Sequence, residues 1–300
     1  MIETFSKETY IKEIILSAEE SAELAKELET QLRTGAIQKP DKSKIDRMIA
    51  GLGDSRGLLR RTFAEALGHA GKASLPGLSH ALLFSQNVTV RRAAAKALKL
   101  VGDPSALPCL LKALINDKDP VVQGSAAGAM AIFGEKAVEH LLTVLINPQS
   151  TAMQCGLATW GLAFVGAEAP NALKKAAQST HEVIRTAAIA ALGDQINSLN
   201  DKEAKGILFK ALDDSSIEVR AEATKLIGRI NQKEWGESVL IKQLHDNEEI
   251  VRRNAALALM NINAINSIDE LKARIKDETN NEVIKVMKLA ISQLKKSKHK

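Results

Sequence analysis

Apolar residues recur along this chain in two alternating kinds of helical segment. The stretch from Phe84 to Gly134 shows both. LPCLLKALI (Leu107 to Ile115) is bulky and Leu-rich, whereas VRRAAAKALKLVG (Val90 to Gly102) and VQGSAAGAMAIFG (Val122 to Gly134) are built from small residues and end in Gly. Polar turns containing Asp or Asn separate them, and the two Ala-rich segments lie 32 residues apart. That period fits two helices of about twelve residues and two short turns. A fixed period of this size predicts a helical solenoid.

The position that Arg91 and Gln123 hold in these two segments marks the register: Arg60, Arg91, Gln123, Cys155, Arg185, Arg220, Arg252 and Lys285, at intervals of 31, 32, 32, 30, 35, 32 and 33 residues. The Ala-rich helix of each unit suits the inner, crowded side of a stack, because small side chains let backbones approach. One such hairpin cannot bury its own apolar face, but stacked neighbours can. The expected fold is all-α, a right-handed superhelix of helical hairpins over residues 45–300. Gly102 and Gly134 are expected to end inner helices in the left-handed conformation. Residues 1–44 fall outside the repeat and read as an N-terminal capping helix and linker. Tyr10, Ile14, Ile15, Ala18, Ala22, Ala25 and Leu28 form a helical stripe there, on a segment with eight acids and four bases up to Gly35, which ends the helix.

Composition narrows the function classes. Aromatics are only 3% of the chain, so the core must be Ala, Leu, Ile and Val. No apolar run approaches the roughly 20 residues that span a bilayer, and the N-terminus lacks a basic-then-apolar secretory pattern. Two cysteines in helical patterns, Cys109 and Cys155, fit a reducing compartment, so a cytoplasmic protein without membrane insertion is expected. The net charge of +5 invites a nucleic-acid partner. Six lysines from Lys285 to Lys300 account for the excess, and stacking aromatics are scarce, so no nucleic acid is expected. No phosphate loop, HExxH, CxxC or GxSxG occurs, the histidines are scattered, and no catalytic or metal-binding residue can be named.

Two roles are open to the marker arginines. Each could brace the turn before it by pairing with that turn's acid, as Asp214 would for Arg220 and Asp246 for Arg252. Alternatively they line one face and bind an acidic ligand. The fourth repeat, TAMQCGLATWGLAFVGAEAP (Thr151 to Pro170), departs most: Cys155 takes the marker position, and Trp160 appears among Gly156, Gly161 and Gly166. Trp160 is either a packing adjustment or a platform for a flat ligand. His181 reads as a solvated turn residue, Trp235 as a packing anchor, Asn197 to Glu203 as a longer loop, and the Lys285–Lys300 tail as a last helix with a frayed basic end.

The segments RMIAGLGDSRGLLRRTFAEALG (Arg47 to Gly68), VTVRRAAAKAL (Val88 to Leu98), the fourth repeat and IRTAAIAALGDQI resemble the HEAT-like repeats of phycobilisome lyases. The similarity is to the phycoerythrin-associated bilin lyases and bilin biosynthesis proteins of cyanobacteria, and it covers about residues 45–295. It implies a HEAT-like α-solenoid that handles a linear tetrapyrrole. The implied activity is a bilin lyase, forming a carbon–sulfur bond between a bilin and a phycobiliprotein cysteine, on phycoerythrin. A non-enzymatic HEAT-repeat adaptor in phycobilisome assembly or degradation is the alternative. A phycoerythrobilin-like bilin would be substrate, with no tightly bound cofactor. A phycobiliprotein subunit, and a second lyase or chaperone subunit, would be partners. The implied chemistry adds the client's thiolate to the bilin's ethylidene group and needs no protein nucleophile. It needs a groove, bases for the two propionates and a carboxylate near the pyrrole nitrogens. The candidate ligand-binding residues are Arg60, Arg91, Gln123, Gln154, Trp160 and Arg185, placed on a concave face.

Overall fold

Asp, Asn and Ser side chains set where most of the early helices begin. A computed structural model describes residues 14–35 and 40–298, and among them it holds eighteen α-helices, four short 3-10 turns and no strand. In order these are α1 (Ala18–Thr34), α2 (Lys42–Gly51), α3 (Gly57–Ala70), α4 (Leu75–Phe84), α5 (Val88–Val101), α6 (Leu107–Asn116), α7 (Pro120–Ala131), α8 (Glu135–Ile146) and α9 (Ala152–Val165). There follow α10 (Pro170–Ala176), α11 (Glu182–Ala191), α12 (Gly193–Ser198), α13 (Lys202–Ala211), α14 (Ile217–Ile230), α15 (Lys233–Gln243), α16 (Glu249–Asn261), α17 (Ile268–Asp277) and α18 (Asn281–Lys298). Asp41, Asn87, Asp119 and Asp201 accept from backbone N–H groups of the first turn behind them, which satisfies donors the helix itself leaves unpaired. The α-solenoid class read from the period is the one observed.

The chain divides into two units. The first comprises the described residues up to His140 together with Thr151–Leu157; the second comprises Leu141–Ser150 and Ala158 onward. In the first unit the inner helices α3, α5 and α7 pack side by side, backed by α2, α4 and α6. Ala94, Ala95, Ala97, Ala126 and Ala127 are fully buried between them. A Cβ at Gly68 would lie 2.8 Å from that of Leu100, so α3 and α5 approach as closely as small residues allow. In the second unit α11, α14, α16 and α18 form the inner row. A Cβ at Gly228 would lie 2.7 Å from the Ala258 Cα, which fixes the same close approach between α14 and α16.

Several boundaries differ from the sequence expectation. Among the described residues the N-terminal stripe is not helical before Ala18: Ser17 and Glu20 form a reciprocal capping box that starts α1 there. Ile14 and Ile15 precede that box and are exposed, while Tyr10 lies outside the described residues. Gly35 does end α1, at φ 67°. Gly102 closes α5 at φ 68°. Gly134 is also left-handed, at φ 54°, but α7 stops at Ala131, three residues earlier, and Gly134 instead precedes α8. Part of the expected loop after Asn197 is helix, since α12 runs to Ser198, and Asn200 turns the chain at φ 49° into the Asp201 cap. The basic tail continues α18 as far as Lys298.

Candidate functional site

Every marker residue from Arg60 to Arg252 sits at the same place in its helix. Its backbone N–H donates to the carbonyl of the N-cap residue four positions back, as Arg91 does to Asn87, Cys155 to Thr151 and Arg252 to Glu248. This puts the side chain beside the turn that enters the helix. Arg91 Nη1 donates to the Ser85 and Gln86 carbonyls, Arg185 Nη1 to Ser179 and Thr180, Arg220 Nη1 to Asp214 and Ser215, and Arg252 Nη1 to Asp246 and Asn247.

The carboxylate partner is not the one the sequence reading chose. Each of these arginines pairs with the acid of the following turn. Arg91 takes Asp117 at 2.8 and 3.2 Å, Arg185 takes Asp214 at 2.9 and 2.8 Å, and Arg220 takes Asp246 at 2.9 and 3.2 Å. Arg252 takes Glu278 at 2.7 and 2.8 Å. Asp214 gives its carbonyl to Arg220 and its carboxylate to Arg185. Asp246 does the same for Arg252 and Arg220, so each of these two turn acids ties two successive repeats together. Paired in this way, Arg91 and Arg185 already donate to a carboxylate and two carbonyls each.

Arg60 keeps the turn bonds, from Nη1 to the Asp54 and Ser55 carbonyls, but no carboxylate pairs with it among the described residues. Gln123 donates Nε2 to the Asp117 carbonyl at 2.7 Å, and its Oε1 is buried without a partner. Gln154 lies one residue before the marker. It closes a capping box with Thr151 and sends Nε2 to the Leu114 and Ile115 carbonyls, so it is buried within the first unit. Arg60, Arg91 and Gln123 share one register in the first unit. Trp160 and Arg185 belong to the second.

Trp160 is 50% exposed and Phe164, one turn on, is 63% exposed; their ring centroids are 5.9 Å apart and tilted by 39°. Phe164 was missed in the sequence reading, although a spacing of four residues on one helix was its signal. Trp235 packs edge-on against Phe209 at 5.1 Å, with Lys205 Nζ 4.5 Å from the Trp235 ring, as an anchor should.

The electrostatics follow the ion pairs. The Arg252 guanidinium holds the Glu278 carboxyl down at about 2. Arg92, beside Arg91, does the same for Asp119, also to about 2, and Arg185 lowers Asp214. Burial raises the Cys109 thiol. No group of three metal-ligating side chains occurs among the described residues, and no described helix is long and apolar enough to cross a membrane.

Residues 75–154 and 204–292 match the family of HEAT repeats. The chain is 44% identical to the bilin biosynthesis protein MpeU of Synechococcus sp. (strain WH8020), over 97% of this chain and 98% of that protein. Among solved structures it is similar to the complex of CpcE and CpcF of phycocyanin lyase from Nostoc sp. PCC7120, at 20% identity, covering 86% of this chain and 97% of that one with a TM-score of 0.35. It is also similar to Kap121p, at 12% identity, covering 91% of this chain and 43% of that one with a TM-score of 0.49.

Proposed function

The chain belongs to the HEAT-repeat family and, within it, to the family of that bilin biosynthesis protein, and on this footing we propose that it is a phycobilin lyase. It binds an open-chain tetrapyrrole and presents it to a cysteine of a phycobiliprotein, with phycoerythrin as the client. The observation that carries the reading is the 44% identity along nearly the whole of both chains. In the second unit, the exposed Trp160–Phe164 pair supports it, because two adjacent rings open to solvent offer a face on which a conjugated pyrrole can lie.

The reaction asks little covalent work of the protein. The client thiolate forms a bond from sulfur to the bilin's ethylidene carbon, and the neighbouring ring carbon takes up a proton. Nothing leaves. The lyase's contribution is to hold the bilin extended and oriented, which converts an encounter of two flexible partners into an addition within one complex. The bilin is thus substrate rather than resident cofactor, the setting is the cytoplasm, and a second lyase or chaperone chain completes the complex on the client.

Co-expression with bilin-synthesis enzymes and a phycoerythrin subunit tests this. A denatured client band that fluoresces with zinc, only when this chain is present, is the expected result. Co-purification of chain and client with no covalent chromophore would replace the lyase by an adaptor.

A further inference from the structure

The marker ladder follows an internal rule. Where the marker is Arg91, Arg185, Arg220 or Arg252, the next turn supplies Asp117, Asp214, Asp246 or Glu278. Where the marker is Gln123 or Cys155, the register places Gln149 and Ser179 at the next turn, and neither is an acid. Cation and anion therefore appear or disappear together. Arg60 is the exception. It is an arginine in marker geometry, half-buried and held by the Asp54 and Ser55 carbonyls, and the next turn presents Ser85.

Ser85 takes the acid's place in the turn as well. Its Oγ accepts from the Asn87 N–H, two residues on, at 3.2 Å. Asp117, Asp214 and Asp246 accept in the same way from Asp119, Ser216 and Glu248, each at 2.8 Å. The turn is preserved while the carboxylate is gone. The acid of the preceding turn, Asp54, cannot substitute. Arg56 already holds it through Nε and Nη2 at 2.9 and 2.7 Å.

We propose that Arg60 is a carboxylate-binding residue, at which a propionate of the bound bilin takes the place that a turn acid occupies beside every other marker arginine. The proposal rests on the bilin-binding reading above and deepens it. It separates Arg60 from Arg91 and Arg185, whose guanidinium groups already face internal carboxylates. A planar guanidinium with one edge fixed on carbonyls and the other facing no acid among the described residues is pre-oriented for a two-point bond to a carboxylate.

The test titrates phycoerythrobilin and its dimethyl ester into the full-length chain, following bilin absorbance. Wild type should bind the free acid about tenfold more tightly than the ester, the ratio equivalent to one charged bond. Ser85→Asp installs the missing acid. It should raise the melting temperature and abolish the preference for the free acid. Arg60→Gln should abolish the same preference while leaving the ester's affinity unchanged, and it keeps the test informative should Ser85→Asp fold poorly. Arg91→Gln should melt early yet preserve the preference per folded molecule. Equal binding of acid and ester by wild type, or an unchanged preference in Arg60→Gln, would overturn the assignment and leave bilin binding standing. A wild-type chain that bound neither form would overturn both readings.

Discussion

Arg252 and Glu278 form a two-point ion pair between the entrance of α16 and the turn before α18, with both side chains under 10% exposed. Glu278 also accepts from the Asn280 N–H and lies 3.2 Å from Arg274. The acid thus serves a turn and two arginines at once.

Removing one member of such a pair leaves the other buried and unpaired. Glu278→Gln is therefore expected to destabilise the chain by about 3–5 kcal/mol, read by urea unfolding. The acid limb carries a second signature. A carboxyl held at about 2 against an ordinary 4.5 is depressed in the folded chain. Its contribution is complete above pH 4.5 and fades as pH falls towards 2. Stability plotted from pH 6 down to pH 2 should fall less steeply in Glu278→Gln than in wild type. Parallel curves would show that the pair does not govern the acid limb.

Gly102 ends α5 in the left-handed region, and a Cβ built there meets nothing within 4 Å. Any cost of substitution is therefore backbone strain rather than collision. Gly102→Val should cost about 1–2 kcal/mol. Gly102→Asn should cost much less, since the chain itself places Asn231 at the same position after α14, at φ 54°. Equal melting temperatures for the two variants would contradict the cap.

Trp160 and Phe164 separate packing from binding. Both rings are at least half exposed, so Trp160→Leu and Phe164→Leu should change stability by no more than about 0.5 kcal/mol. Bilin affinity or chromophore transfer should fall in each. Early melting with normal binding per folded molecule would make the pair structural.

The fold was legible because the inner helices repeat a local instruction: a polar turn, a marker position and a run of small residues. Those features act within one hairpin and print themselves at a fixed period. The ladder was not legible, because Arg220 and Asp246 are 26 residues apart and their pairing depends on how neighbouring turns stack. A sequence shows Asp214 closer to Arg220 and suggests the wrong partner. The same limit hid the Gln154 capping box, since only the helix start at Ala152 tells which residue is third. Among the candidate residues, Trp160 stood out by composition alone. Arg60 looked like its fellow markers until the partner of each was known.

Two glycines within helices should respond to alanine with opposite signs. Gly156 lies within α9, where a glycine costs about 1 kcal/mol relative to alanine, and an added Cβ meets no atom within 4 Å. Gly156→Ala should therefore stabilise, by about 0.5–1 kcal/mol. Gly228 carries the same propensity cost within α14, but its added Cβ would lie 2.7 Å from the Cα of Ala258, a backbone atom that cannot swing aside. Separating α14 from α16 to admit a methyl group should outweigh the gain in helix propensity, at about 1–3 kcal/mol. Paired urea titrations measure both. A Gly228→Ala variant as stable as wild type would mean that the two inner helices do not approach closely enough for packing to require a glycine there.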